Sequence, residues 1–215
     1  MPAEIAVEIP IGKQSLHGDM VVPPQARGIV LFAHGSGSSR HSPRNRFVAQ
    51  QIQNAGLGTL LMDLLTREEE VYDAQTAELR FDIGLLAQRL IGATRWIVAQ
   101  SNASGLPLGY FGASTGAAAA LVAASELPEL VAAAVSRGGR PDLAGDALPG
   151  VSAATLLIVG SRDHTVLELN RQALAQLRCE KQLEIVPGAT HLFEEPGTLP
   201  QVAKLARDWF KKYLQ

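Results

Sequence analysis

Short runs of apolar residues alternate with amphipathic stretches along most of the chain. Continuous apolar runs are typical of strands that are covered on both faces of a parallel sheet. They lie at residues 28–35, 59–65, 106–112, 131–136, 154–160 and 182–188. Before them, residues 4–9 and 16–22 predict two further strands, with Gly12 in the turn that joins them.

The stretches between the strands have the apolar spacing of helices. Ser42 is placed to cap a helix that begins at Pro43, and Gly56 is placed to end it. A long helix is predicted from apolar residues that recur at three- and four-residue steps. These residues are Leu79, Ile83, Leu86, Leu90 and Ile97.

Three more helices are predicted in the second half of the chain. One follows Ser114 and runs until Pro128, one lies around residues 167–177, and one opens at Pro196 and closes the chain. Residues 66–78 are polar and carry no apolar stripe, so they are interpreted as a loop. The predicted fold class is α/β, in one domain over residues 1–215. A twisted, mostly parallel sheet has helices on both faces and is preceded by an antiparallel strand pair.

Composition and charge exclude several classes of protein. The chain has 215 residues, 47% of them hydrophobic, and a formal net charge of −2, so it has no basic footprint for nucleic acid. Its start lacks the pattern of a secretory signal, and no apolar run is long enough for a membrane span. The single cysteine, Cys179, is placed on a predicted helix and has no partner for an internal disulfide. We expect a soluble, cytoplasmic protein.

Residues 110–116, YFGASTG, place Ser114 where a buried strand ends and a helix begins. Gly112 and Gly116 lie two positions before and after the serine, which is the G-x-S-x-G pattern of a nucleophile elbow. The turn is so tight that only very small residues fit there. The N–H of Thr115, at the helix amino end, can donate to a developing oxyanion. A glycine-flanked helix cap is the alternative, but the strand and helix on either side favour the elbow.

A nucleophilic serine needs a base and an acid that orients the base. His191 follows the last strand, and the chain order serine, acid, histidine favours it over its rival His164. Asp163 and Asp142 both follow strands at the correct edge of the sheet. Asp163 ends a strongly apolar run with a short turn, so it is the favoured acid, and Asp142 is left to cap a turn or pair with an arginine.

The loop after the third strand, FAHGSGSSRHS, is expected to supply the second oxyanion donor. Gly35 and Gly37 let the backbone approach the reacting carbonyl, so the N–H of Ser36 is the predicted donor. His34 is expected to brace this loop. A phosphate-binding turn is the alternative, but the loop lacks both the Walker lysine and the third glycine of a dinucleotide fingerprint.

Two further clusters can contact a substrate. Arg137 or Arg140 can bind a substrate carboxylate with two hydrogen bonds, although pairing with Asp142 or Glu194 is at least as good an interpretation. The acidic run Glu68–Glu70 can recruit a hard cation, but a solvated loop face is far more common. Neither histidine nor cysteine spacing suggests zinc.

With these residues in place, the chain resembles the α/β-hydrolase fold over essentially its whole length. LFAHGSGSSRHSPRNRFVA, LRFDIGLLAQRL, YFGASTG, VSRGGRPDLA and ATHLFEEPGTL resemble a small branch of the dienelactone-hydrolase-like proteins without a lid. The resemblance implies an eight-stranded core and a triad of Ser114, Asp163 and His191. It also implies hydrolysis of a small ester or lactone without metal or organic cofactor. Dienelactone hydrolases proper carry a cysteine at the position of Ser114, which argues against dienelactone itself as the substrate.

Three functions remain open from the sequence. The leading one is a serine hydrolase, and the same triad can instead pass an acyl group to another acceptor or cleave amides. A ligand-binding module that has kept the fold without catalysis is the third. No nucleic-acid or membrane partner is expected, and the sequence does not give the oligomeric state.

Overall fold

A computed structural model describes residues 3–101 and 103–215. The strands are β1 (Ile5–Ile11), β2 (Gln14–Val21), β3 (Ile29–Ala33), β4 (Gly58–Met62), β5 (Leu108–Ala113), β6 (Val131–Arg137), β7 (Ala154–Gly160) and β8 (Lys181–Val186). The α-helices are α1 (Pro43–Gln53), α2 (Arg67–Thr76), α3 (Ile83–Val98), α4 (Thr115–Glu126), α5 (His164–Gln176) and α6 (Thr198–Tyr213). Two 3₁₀ segments, Leu79–Phe81 and Pro141–Gly150, complete the elements.

The strands form one eight-stranded sheet in the order β1-β2-β4-β3-β5-β6-β7-β8. β2 runs antiparallel to both β1 and β4, and the pairs from β4 through β8 are parallel. Each of the predicted strands is present, so the mostly parallel sheet with an antiparallel pair before it is confirmed. The carboxyl ends of β3, β5, β6, β7 and β8 lie along one edge, and loops at that edge hold the sites of such sheets.

The core has one layer on each face of the sheet. Helices α3 and α4 cover one face, and α1 and α6 cover the other. The central strands β3, β5 and β7 are buried over their whole length, which explains their continuous apolar sequences. The alanines of α4 are small, so this helix lies close against the sheet. Within the described residues, the loops at the carboxyl edge of the sheet carry no cap domain.

The interpretation of residues 66–78 as a loop is wrong. Arg67–Thr76 form α2, and Thr66 and Glu69 exchange the two hydrogen bonds of a capping box at its start. The three glutamates Glu68–Glu70 occupy its first turn, where the helix dipole favours negative charge. Caps and charge therefore stabilise a helix that an apolar stripe does not mark.

Smaller differences concern element ends. The closing helix begins at Thr198, two residues after the predicted start, because Gly197 has a left-handed backbone with φ of 83°. Cys179 lies in the turn between α5 and β8, not on a helix. No helix among the described residues is both long and apolar enough to cross a membrane.

Candidate active site

Ser114 lies in the turn between β5 and α4 with φ of 51° and ψ of −123°, a conformation that is strained for any residue with a side chain. The turn brings backbone atoms against both flanking glycines. A Cβ atom on Gly112 would lie 2.4 Å from the Cα of Ala117, and one on Gly116 would lie 2.2 Å from the carbonyl oxygen of Ala33. Both positions therefore require glycine, and the surrounding packing holds the serine in its strained conformation.

Asp163 and His191 meet although they are 28 positions apart in the chain. Asp163 directly precedes α5, and His191 lies in the loop between β8 and α6. The Nδ1 atom of His191 lies 2.6 Å from Oδ2 of Asp163, with the aspartate side chain 15% exposed. The two loops can approach because β7 ends in glycine, where a Cβ on Gly160 would lie 2.3 Å from the carbonyl oxygen of Ala189. This bond fixes the ring and leaves Nε2 for another partner.

Ser114 and His191 line the same cavity, which has a volume of about 230 Å³. We call it the arginine cavity, because Arg44 and Arg137 also line it, together with Ser36, Ser38, Ser42 and Leu192. Among the described residues, His191 is hydrogen-bonded to Asp163, and no hydrogen bond joins His191 to Ser114. Such bonds are often long in the absence of substrate and form when it binds.

The other sequence candidates lie elsewhere. His164 is exposed at the start of α5. Asp142 forms two-point hydrogen bonds with the guanidinium of Arg140, including Nη2 to Oδ2 at 2.8 Å. This is the pairing that the sequence offered as the alternative role for both residues. Arg140 is thereby neutralised, whereas Arg137 reaches the arginine cavity.

The two predicted oxyanion donors lie next to each other. Thr115 begins α4, so its N–H is one of the donors that a helix leaves without an intrahelical acceptor. The N–H of Ser36 donates to the hydroxyl oxygen of Thr115, at 3.0 Å. A substrate oxygen that binds the N–H of Ser36 must therefore share this donor with the Thr115 hydroxyl or replace that hydroxyl as its acceptor. Sequence reasoning missed the hydroxyl, because the two residues are 79 positions apart.

His34 braces the loop that carries Ser36, as predicted. Its Nδ1 lies 2.9 Å from the carbonyl oxygen of Gly35, and its Nε2 accepts a hydrogen bond from the N–H of Leu64. Burial lowers the pKa of His34, so the neutral ring donates at one nitrogen and accepts at the other. The side chain is thereby committed to structure.

A second cavity of about 200 Å³ lies on the other side of the same loop. We call it the leucine cavity, since Leu64, Leu65 and Leu86 line it along with His34, residues 35–38, Glu70, Asp73 and Arg80. Asp73 accepts hydrogen bonds from the N–H groups of Leu79 and Arg80 and from Nε of Arg80, the last at 2.7 Å. Burial pushes the pKa of Asp73 upward, but these bonds and the charge of Arg80 outweigh it and hold the pKa below its ordinary value.

Glu70 is the member of the acidic run that lines the leucine cavity, from the first turn of α2. Burial raises its pKa, and the nearby charge of Asp63 adds to the rise. Glu69 instead binds Arg89 and closes the capping box. The run is thus divided among helix capping, an ion pair and a cavity wall.

The sheet order, the strained serine turn between β5 and α4, and the helices on both faces define the class of protein as an α/β-hydrolase. The family is equally plain, since the family model described as "Dienelactone hydrolase family" matches residues 16–215. The chain belongs to the dienelactone hydrolase family.

Solved structures agree with this assignment. A structure described as a dienelactone hydrolase from Anabaena variabilis is 61% identical and covers 100% of this chain and 99% of its own, with a TM-score of 0.98. Est1E from Butyrivibrio proteoclasticus is 13% identical and shares the fold, with a TM-score of 0.81 over 96% of this chain and 98% of its own.

Curated relatives from Mycobacterium tuberculosis are longer proteins. They are 60% identical over 208 residues, which is 97% of this chain but 46% of the relative, and they carry the provisional name phosphoribosyl transferase. The chain therefore spans about half the length of these relatives.

Proposed function

We propose that this member of the family is a serine hydrolase that cleaves small carboxylic esters or lactones through an acyl-enzyme. The observation that carries the proposal is the pairing of His191 with Asp163 at 2.6 Å on the wall of the cavity that Ser114 enters. A strained serine, a histidine held by a carboxylate and a helix amino end are the parts that acyl transfer needs.

We assign each residue a step in this reaction. His191 takes the proton of the Ser114 hydroxyl as the serine oxygen attacks the substrate carbonyl. Asp163 holds the ring by Nδ1 and stabilises the imidazolium that forms. The N–H groups of Thr115 and Ser36 bind the tetrahedral oxyanion, with the Ser36 donor turning from the Thr115 hydroxyl to the substrate. His191 then protonates the leaving group, and a water activated by the same ring releases the acyl group.

The cavities favour small substrates. At about 230 and 200 Å³ they are below the range of roughly 300–1,000 Å³ that drug-sized ligands occupy. We expect p-nitrophenyl esters to be cleaved less efficiently as the acyl chain grows from acetate to palmitate. Rates that rise along this series would contradict the assignment of a small, open site.

The decisive experiment compares the wild-type protein with Ser114→Ala on p-nitrophenyl acetate. Loss of the nucleophile is expected to lower kcat by roughly 10⁴- to 10⁶-fold. Ser125→Ala is the matched control, because Ser125 lies on the helix that follows Ser114 and, among the described residues, its hydroxyl is recorded donating to the local carbonyl oxygen of Val122. Turnover that survives in Ser114→Ala would remove the proposal.

The name of the mycobacterial relatives suggests a different reaction. This chain matches 46% of each relative, and the residues gathered around Ser114 suit acyl chemistry. We propose that phosphoribosyl transfer belongs to the part of those proteins that this chain does not match. Acyl transfer to another acceptor and amide cleavage use the same triad, and a panel of esters, thioesters and amides separates them from ester hydrolysis.

A further inference from the structure

Asn170 is a fully buried polar side chain on an otherwise apolar helix face. The buried face of α5 consists of Val166, Leu167, Asn170 and Ala173, and Asn170 is 0% exposed. Its Nδ2 donates to the carbonyl oxygen of Val166, at 2.7 Å, and to that of Gly139, at 2.9 Å. Because both partners are carbonyl oxygens, it must be the amide nitrogen of the side chain that faces them.

The two hydrogen bonds of Asn170 differ in reach. The bond to Val166 is local, since it spans one turn of α5, whereas the bond to Gly139 spans 31 positions and leaves the helix. The Oδ1 of Asn170 is buried without a hydrogen-bond partner among the described residues, and a buried acceptor that is left unused costs free energy. The bond to Gly139 is therefore the contact that a shorter polar side chain at this place could not supply.

Gly139 belongs to residues 137–140, which we call the RGGR loop. This loop binds both backbone groups of Ser114. The N–H of Ser114 donates to the carbonyl oxygen of Arg137, at 3.3 Å, and the N–H of Arg140 donates to the carbonyl oxygen of Ser114, at 3.1 Å. The positive φ of Ser114, 51°, is a strained conformation that persists only where the surroundings hold it. The RGGR loop is therefore part of the support of the serine turn.

The same loop lies directly against His191. A Cβ atom on Gly138 would lie 2.9 Å from the carbonyl oxygen of His191 and 3.6 Å from its Nδ1. The N–H of Gly138 donates to the carbonyl oxygen of Ile158 in β7, at 2.8 Å. On the inner side of the loop, a Cβ atom on Gly139 would collide with Oγ of Ser136. The loop is thus closely packed, and a displacement of its backbone reaches both the serine turn and the histidine.

We propose that Asn170 is a positioning residue, whose hydrogen bond to Gly139 ties the RGGR loop to α5 and so fixes the geometry of the proposed triad. Helix α5 begins directly after Asp163, and Asn170 lies about two turns further along it. One hydrogen bond thus joins the helix that follows the acid to the loop that holds the serine turn. The kinetic part of this inference rests on the proposed hydrolase function. A displacement of reacting groups by about 1 Å can lower a rate by roughly 10²-fold.

The test variant is Asn170→Thr. A threonine hydroxyl on a helix can donate to the carbonyl oxygen one turn earlier, as Oγ1 of Thr94 does to Leu90, at 2.8 Å. The threonine side chain is one atom shorter than that of asparagine. The variant can therefore keep the bond within α5 while it loses the bond to Gly139.

Steady-state kinetics on p-nitrophenyl acetate measure the effect of this variant on catalysis. We expect kcat of Asn170→Thr to fall by about 10- to 100-fold and KM to change by less than about threefold, because the reacting groups are misplaced while the cavity keeps its walls. An unchanged kcat, or a loss that appears in KM alone, would overturn the proposal.

Thr155→Val is the matched control for a loss of stability. Thr155 is 0% exposed, and its hydroxyl donates to the carbonyl oxygen of Ala153, at 2.8 Å. It lies at the amino end of β7, at the opposite edge of the sheet from Ser114. This variant also loses a buried hydrogen bond, and we expect it to keep the kcat of the wild type. Both variants are assayed well below their thermal midpoints. An equal fall of kcat in the two would show a general effect of destabilisation and would overturn the proposal.

Hydrogen exchange tests the tie without turnover. In Asn170→Thr the N–H groups of Ser114 and Arg140 are expected to exchange at least about tenfold faster than in the wild type, because the loop opens more readily. In Thr155→Val they are expected to exchange at the wild-type rate. Mass spectrometry of peptides that cover residues 114 and 138–140 gives these rates. Should Asn170→Thr not fold, Asn170→Ser removes the same bond with a smaller side chain, and the same results are expected.

The exchange experiment separates this inference from the proposed hydrolase function. Faster exchange in Asn170→Thr, in a protein whose wild type hydrolyses no ester, would remove the hydrolase and support the tie between α5 and the RGGR loop. Unchanged exchange in Asn170→Thr, with ester hydrolysis present in the wild type, would leave the hydrolase and overturn the role of Asn170.

Discussion

Arg80 and Arg137 line the cavities on either side of the loop at residues 35–38, and they differ in their partners. In the leucine cavity, Arg80 donates from Nε to Asp73, whose carboxylate also accepts two backbone N–H groups. In the arginine cavity, Arg137 has an amide oxygen for a partner and two nitrogens without one among the described residues. Among the described residues, Arg80 is thus paired with a carboxylate and Arg137 is not.

The difference lies in the partner that the fold provides for each guanidinium, a carboxylate for Arg80 and an amide oxygen for Arg137. A folded chain can satisfy a buried charge with its own residues, and Asp73 shows that this one does so in the leucine cavity. The same loop lines both cavities, so variants on either side can be compared directly.

The largest expected effect is a loss of activity when the pair of Asp163 and His191 is altered. Asp163→Asn keeps the shape but removes the charge that holds His191 by Nδ1. We expect kcat on p-nitrophenyl acetate to fall by about 10³- to 10⁴-fold, since a neutral amide favours the wrong tautomer of the ring. The matched control is Asp142→Asn, which alters a carboxylate paired with Arg140. Equal activity of Asp163→Asn and wild type would exclude Asp163 as the acid.

The next largest effect is a loss of stability when Arg80, like Arg137, is left without a carboxylate partner. Asp73→Asn removes the charge that pairs with Arg80 and is expected to lower the free energy of unfolding by about 2 kcal/mol at neutral pH. The pKa of Asp73 is lower in the folded chain than in the unfolded chain, so its contribution is complete above the ordinary carboxyl pKa.

Measurements at acid pH give a second test of this prediction. As pH falls from ~5 through the folded-state pKa of Asp73, its contribution is lost, and the difference between wild type and Asp73→Asn should shrink. Denaturant unfolding at neutral and acid pH measures both. A difference that is absent at neutral pH, or that grows on acidification, would show that the Arg80 pair does not stabilise the leucine cavity wall.

The smallest effect concerns the loop between the cavities. Thr115→Val removes the hydroxyl that accepts the Ser36 N–H and is expected to cost about 1 kcal/mol of stability. Activity should be largely retained, because the backbone donors stay in place. A loss of activity comparable to that of Asp163→Asn would mean that the Thr115 hydroxyl itself contacts the reacting atoms.

Steric rules made the serine turn predictable. At Gly112 and Gly116 a side chain would collide with neighbouring backbone atoms, so only glycine fits at these two positions. The register of alternating strands and helices also placed Asp163 and His191 at one edge, although their contact depends on Gly160 letting two loops meet. The parts of the site that follow from chain order were therefore foreseeable from the residues alone.

The different surroundings of Arg137 and Arg140 were harder to foresee. Arg137 and Arg140 look alike in sequence, yet Asp142 neutralises only Arg140. The alternation of β6 gives a signal that could have separated them, since Arg137 shares a face with Ala133 and Val135, which pack in the layer under α1 and α6. Helix α2 was missed because its signal is the cap formed by Thr66 and Glu69.

The most direct test of the account is covalent labelling of Ser114 by a fluorophosphonate, located by peptide mass spectrometry. An activated serine reacts quickly, so we predict one labelled site at Ser114 and labelling that is strongly slowed in His191→Ala. A protein that stays unlabelled, or that labels at Ser114 as fast without the imidazole as with it, would contradict the assignment of Ser114 as a nucleophile activated by His191.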